Sequence, residues 1–249
     1  TVWFRAKSLK SLSLLKKFKK LNNFVKDSNH YELICCKQKI GYVHKEIAKS
    51  IITNIEDITL INRSLYFKDK KPYKLSKKAL EIASLLNLKK KIHSLSGELF
   101  SCKKTINSKE FFRLDRSLVE MLGIRGYGVH LIAYIRVNNS YKLWVPKRNK
   151  NKLVAPSKLD NTVAGGIKAG ENIYDALKRE ANEEAGITSK DFSNIKLTGT
   201  INYNWKNKIN SLRRDTLYIF DMEVDKNFEP ICSDGEVEEF KLMDWKKVL

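Results

Sequence analysis

Apolar positions along this chain recur with two different periods, and the places where the period changes divide it into two candidate units. Leu9, Leu12, Leu15, Phe18 and Leu21 return every third position among lysines, which predicts an amphipathic helix over residues 9–25. Short apolar runs at Tyr31–Cys36 and Lys39–Val43 flank a polar turn and predict two strands. Lys45–Thr53 reads as a helix. Ser76 is placed to cap another, running to Leu86 with Ala79, Leu80, Ala83 and Leu86 on one face. Pro72 falls in a lysine-rich connector before it. A second pattern starts near Gly123–Gly128. Val129–Val137 and Tyr141–Pro146 read as strands joined through Asn138–Ser140, a helix is predicted from Asn172 to Ala185, and Ile195–Trp205 and Thr216–Val224 read as further strands. Asp244 is placed to cap a last helix. The expectation is a small α+β module over 1–120 followed by a mixed α/β unit over 121–249.

Charge is distributed unevenly over the two units. The formal net charge is +20, and residues 1–125 carry 28 basic against 11 acidic side chains, a net of +17. A basic half suits nucleic acid, anionic lipid or an anionic ligand. The lysines are scattered and lack interleaved aromatics, so a general lysine bias is the better reading and nucleic acid is not the favoured partner. No run approaches the ~18–20 apolar residues that a membrane span needs. Cys35, Cys36, Cys102 and Cys232 form no C-x-x-C pair, which fits ordinary thiols in a reducing compartment. The expected location is cytoplasmic, or organellar should residues 1–26 act as a transit peptide; an ordinary first helix is the preferred reading of that segment.

The chemistry concentrates in GGIKAGENIYDALKREANEEAGI, residues 165–187. On a helix turning ~100° per residue, Glu180, Glu183 and Glu184 fall within an arc of roughly 100°. Like charges at such spacing repel, and a cation is needed to offset them. Hard divalent ions, Mg²⁺ or Mn²⁺, take oxygen donors and bridge protein carboxylates to phosphates. Ile173, Ala176, Leu177 and Ala181 form the opposite, apolar face. A lone E-x-x-E-E is most often a solvated helix face. Glu171 and Arg179, taken singly, read as a first-turn charge and a surface charge.

Gly165, Glu171, Arg179, Glu180, Ala181, Glu183, Glu184, Gly186 and Ile187 together match every fixed position of G-x5-E-x7-R-E-U-x-E-E-x-G-U, where U is apolar, so the segment resembles the Nudix box. The stretches GYGVHLIAYIRV, KLWVPKR, SKLDNTVAGGI, INYNW, RRDTLYIFDMEV and DGEVEEFKLMDW resemble the thiamin-pyrophosphokinase-related branch of Nudix hydrolases, as do IGYVHKEIAKSI and the run 97–116 within an N-terminal module of about a hundred residues. The resemblance implies an α/β/α sandwich and Mg²⁺-dependent hydrolysis of a small-molecule diphosphate, with thiamin diphosphate or its oxidised analogues as substrate. It also implies metal ligation by Glu180, Glu183 and Glu184, with the Gly165 carbonyl as an addition. Arg179 then orients a catalytic glutamate, Glu183 is the first candidate to activate water, and Glu236 is the outside candidate for ligand or base. Glu171, Gly165 and Gly186 take structural parts. Arg148, Arg214 and Gly166 are candidates for holding substrate phosphates.

Each of these has a plainer alternative: Glu236 as an exposed strand acid, Arg148 and Arg214 as structural arginines. His130 reads as a satisfied core histidine. Trp144 and Trp205 read as partly core, with ring stacking as the functional alternative. Asp160 and Asp215 have no assigned chemistry. Other diphosphates (a nucleotide sugar, a dinucleotide, an RNA cap) and a non-catalytic ligand-binding regulator remain alternatives, and a homodimer is compatible with the sequence.

Overall fold

The structure is a computed structural model and describes residue 16 and residues 18–152, 155–207, 211–233 and 235–248, the side chains of Ser189 and Asp191 excepted. Two compact units emerge: Thr1–Gly126 with Lys168–Gly170 and Asn202–Thr216, and Tyr127–Ile167 with Glu171–Ile201 and Leu217–Leu249.

Unit 1 is built around a four-stranded sheet. Its strands are β1 (His30–Cys35), β2 (Gln38–His44), β3 (Ile58–Ile61) and β4 (Ser64–Phe67), in the order β2-β1-β4-β3. The β1–β2 hairpin turns at Cys36 and Lys37, with φ of 48° and 64°, the paired left-handed conformation that a tight two-residue hairpin requires. Asn62 and Arg63 do the same between β3 and β4, with φ of 45° and 62°. Helix α1 (Lys45–Asn54) follows β2 and is capped by the His44 ring, which accepts from the Glu46 N–H at 3.4 Å. Helix α2 (Pro72–Leu88) buries Leu75, Ala79, Ile82, Ala83 and Leu86. A two-stranded ribbon, β5 (Leu99–Cys102) with β6 (Phe112–Asp115), leads into the short α3 (Arg116–Met121). Asp115 caps α3, accepting from the Ser117 N–H at 2.9 Å, and also takes the Ser96 and Gly97 N–H groups at 3.1 and 3.0 Å. One apolar core runs from Leu33 to Ile124.

Unit 2 carries the glutamate-rich segment. A six-stranded sheet runs β10-β11-β7-β8-β12, with β9 also paired to β7. The strands are β7 (Arg125–Val137), β8 (Ser140–Arg148), β9 (Val163–Gly166), β10 (Ile195–Lys206), β11 (Leu212–Glu223) and β12 (Val237–Asp244). Helix α4 (Ile173–Ala185) packs on β9, and α5 (Trp245–Val248) ends the described chain. Buried Thr162 ties the sheet together where β9 begins: its hydroxyl donates to the Trp144 carbonyl at 2.7 Å and accepts from the Ala133 N–H at 2.9 Å.

The mixed α/β expectation holds. Several local expectations need correction. Pro72 does not sit in a connector; it occupies the first turn of α2, where its missing N–H costs nothing. Ser76 therefore lies inside the helix rather than capping it, and its hydroxyl accepts from the Arg113 N–H at 3.0 Å. Of the helix expected over 9–25, residues 9–15 and 17 lie outside the described residues, residues 16 and 18–21 are helical, and residues 23–25 are not. Ile173 is half-buried, and Glu184 and Ala185 complete the buried face of α4 in its place.

Candidate active site

Local sequence signals place α4 with little ambiguity. Asn172 caps its start, its Oδ1 accepting from the Tyr174 and Asp175 N–H groups at 2.8 and 3.0 Å. Gly186 ends it at φ 64°, a left-handed conformation that favours glycine over any residue with a side chain. The Ser233 N–H and hydroxyl both donate to the Glu183 carbonyl, at 3.1 and 2.8 Å, and the Ile231 N–H donates to the Ala185 carbonyl at 3.1 Å. Carbonyls that a helix end leaves without partners are thereby satisfied.

Arg179 is the centre of the site. Its Nε and Nη2 donate to the two oxygens of Glu171 at 2.6 and 2.9 Å, a bidentate pair. Nη1 donates to Glu180 at 2.6 Å and to Glu183 at 3.3 Å, and Nη2 also reaches the Gly166 carbonyl at 3.0 Å. The hydrogen bonds to Glu171, and then those to Glu180, hold the guanidinium pKa above the ordinary arginine value, so Arg179 is a permanent cation. Glu180 lies against Gly165 so closely that a Cβ there would sit 1.9 Å from the Glu180 carboxyl carbon. A side chain at residue 165 would force the Glu180 carboxylate to move.

The three helix glutamates are not equivalent. Glu184 is 7% exposed and accepts from the Ala164 N–H of β9 at 2.8 Å. The Glu180 side chain is 13% exposed and that of Glu183 44%. Among the described residues, no three acidic, histidine or cysteine side chains converge as a metal cage. The donor chemistry nevertheless fits a hard divalent cation. Glu171, Glu180 and Glu183 bring three formal negative charges to one guanidinium, Glu184 adds a fourth carboxylate on the same helix, and these side chains offer only oxygen. An excess of that kind on one short helix is unfavourable unless a further cation offsets it.

Of the candidates outside the helix, two come together with Glu184. Arg148, Asp160, Glu184 and Glu236 line one narrow cleft of about 10 Å³, room for a single water. In it Arg148 donates to Asp160 at 2.9 Å, which gives Asp160 the role the sequence left open. Glu236 pairs with Lys152 at 2.6 Å, a partner nothing in the sequence signalled. Half-buried His130 meets the Asn161 side chain at 2.6 Å. Arg214 belongs to unit 1: it donates to the Gly123 carbonyl at 3.0 Å and stacks over Tyr42 at 5.0 Å, contacts that brace the chain. Asp215, also in unit 1, accepts from the Tyr203 hydroxyl at 2.6 Å and from Arg213 at 2.8 Å.

Residues 127–249 match the NUDIX domain family model. Nudix hydrolase 24, chloroplastic, of Arabidopsis thaliana is 29% identical over 83% of this chain and 57% of its own length. Nudix hydrolase 20, chloroplastic, of the same plant is 30% identical over 83% of this chain and 58% of its own. The chain thus spans somewhat over half the length of these relatives. A C. elegans Ap4A hydrolase structure superposes on 49% of this chain and 82% of its own, with a TM-score of 0.38 and 14% identity. Residues 127–249 of this chain are thus similar to the NUDIX domain.

Proposed function

We propose that the chain is a divalent-metal-dependent hydrolase of a diphosphate joined to an organic group. The observation that carries the reading is the charge imbalance at α4, where the guanidinium of Arg179 serves three glutamates, Glu171, Glu180 and Glu183, and a fourth, Glu184, lies on the same helix. Mg²⁺ or Mn²⁺, held by Glu180, Glu183 and Glu184 with the Gly165 carbonyl as a further donor, supplies charge neutralisation and sharpens the attacking water. Arg179 holds Glu171 and Glu180 at 2.6 Å and Glu183 more loosely at 3.3 Å, and Glu183, the most exposed of the three helix glutamates, accepts the proton of the incoming water. The water oxygen bonds to phosphorus as the bridging P–O bond breaks, and the leaving oxygen departs on the released phosphate. Arg148 lies in the cleft with Glu184 and is placed for a phosphate once Asp160 releases it.

The substrate class rests on the sequence resemblance: thiamin diphosphate or an oxidised analogue, giving the monophosphate and phosphate. The chloroplastic names of two relatives favour the organellar option over the cytoplasmic one. No helix among the described residues is long and apolar enough to cross a membrane. A panel decides the reading. Purified chain with Mg²⁺ is offered thiamin-type diphosphates, nucleotide sugars, dinucleotides and capped RNA, and phosphate or monophosphate release is followed with and without chelator. Release from thiamin-type diphosphates alone, abolished by chelator, supports the full reading. Release only from another class moves the substrate, and no release from any compound refutes hydrolysis.

A further inference from the structure

A groove of about 470 Å³ opens between β8, β12 and residues 229–232, a size suited to a small organic group. Trp144 and Phe240 supply the aromatic rings of its lining. Trp144 pairs with Leu242 and Phe240 with Pro146 across the two strands, so both side chains stand on the same sheet face. Val237 lines this groove and also the narrow cleft that contains Glu184 and Arg148, so the two spaces adjoin. The indole N–H of Trp144 is buried and has no acceptor among the described residues.

The electrostatics of the groove run against those of the chain. In a protein of formal net charge +20, every charged side chain lining it is a carboxylate: Glu229, Glu238 and Glu239. Glu238 reaches Lys147 at 3.1 Å and Glu239 reaches Lys241 at 2.8 Å, whereas Glu229 has no ion pair among the described residues. Such a rim repels a phosphate and attracts a cation. The half-buried rings of Trp144 and Phe240 in its lining add cation–π attraction for a planar positive ring.

We propose that this groove seats the organic end of the substrate and selects a planar, positively charged heteroaromatic ring, with the diphosphate extending past Val237 toward Glu184 and the box. The assignment rests on the hydrolase reading for what is attached to the ring, but the ring's binding is measurable without catalysis. Half-buried Cys232 forms part of the groove wall and serves as a reporter.

The test is alkylation of Cys232 in a Cys36→Ser background without metal, followed by peptide mass spectrometry. The probes are thiamin, a cationic heteroaromatic without phosphate, and adenosine, a neutral one. Thiamin is expected to slow alkylation at saturation while adenosine does not. Glu229→Gln is expected to raise the half-protecting thiamin concentration about fivefold. Absence of protection by thiamin, or equal protection by adenosine, overturns the assignment. Phosphate release from the substrate panel separates this outcome from the fate of the hydrolase reading. Hydrolysis of neutral-ring diphosphates without thiamin protection removes the groove assignment and leaves the hydrolase. Thiamin protection without hydrolysis of any diphosphate removes the hydrolase and leaves the groove.

Discussion

A methyl group on Gly165 would sit 1.9 Å from the carboxyl carbon of Glu180, well inside van der Waals contact. The first glycine of the box therefore acts through a side chain fifteen residues away, by leaving room for it. Gly165→Ala is expected to fold, because β9 still pairs with β7 and α4 keeps its caps. Its Glu180 carboxylate must move, and misplacement on the scale of 1 Å costs about a hundredfold in turnover. Circular dichroism and steady-state kinetics on the same sample check both halves. Normal turnover would show that the position of Glu180 is not critical.

Arg179 holds three carboxylates, and removing it leaves Glu171 and Glu180, both largely buried, without their counter-charge. Arg179→Ala is expected to destabilise unit 2 by about 2 kcal/mol, at the scale of hydrogen bonds to charged groups. Arg179→Lys restores the charge without the bidentate fork and should recover about half of that. Mg²⁺ should raise the melting temperature of Arg179→Ala more than that of wild type, since the metal takes over part of the missing charge. Thermal melts with Mg²⁺ and with chelator measure the difference, and equal shifts would argue against a metal among these glutamates.

A different titration governs unit 1. The hydrogen bond from His30 to Asp27, 2.7 Å long, holds the Asp27 carboxyl well below the usual carboxylate range, with help from the Asn29 N–H and Lys206. A depressed folded-state pKa adds stability above the unfolded value of about 3.9, and that stability is lost as pH falls through and below it. Asp27→Asn should therefore melt lower than wild type at pH 6, and the gap should narrow steadily as pH falls below the unfolded value. Thermal melts across that range check it. A constant gap would mean that Asp27 acts through packing alone.

The fold was legible where local signals and packing agree. Asn172, the period of Ala176, Leu177 and Ala181, and Gly186 mark α4 to within a residue of its bounds. Pro72 misled because a proline reads as a break when it stands among lysines, yet its fixed φ also suits the first turn of a helix. Strands β3 and β4 are four residues each, too short to establish an alternating pattern. β12 carries Glu238, Glu239 and Lys241 on an exposed strand, and its acidic run masks the pairing with β8. In the site, spacing gave the three glutamates as one arc but not their unequal burial. Glu184 turns inward to the Ala164 N–H, a partner twenty residues away that no helical period encodes. The same limit separates Arg148, which the fold brings beside Glu184, from Arg214, which braces unit 1.

The central claim is that the glutamates of α4 carry metal-dependent hydrolysis. The most direct measurement is Mg²⁺-dependent phosphate release by Glu183→Gln beside wild type, at saturating substrate and equal folded protein. Glu183 is the most exposed of the three, and its side chain has Arg179 as its one described partner, at 3.3 Å, so the substitution leaves the fold in place. Turnover should fall at least about a hundredfold, the scale on which general-base catalysis contributes. Turnover equal to wild type would contradict the account.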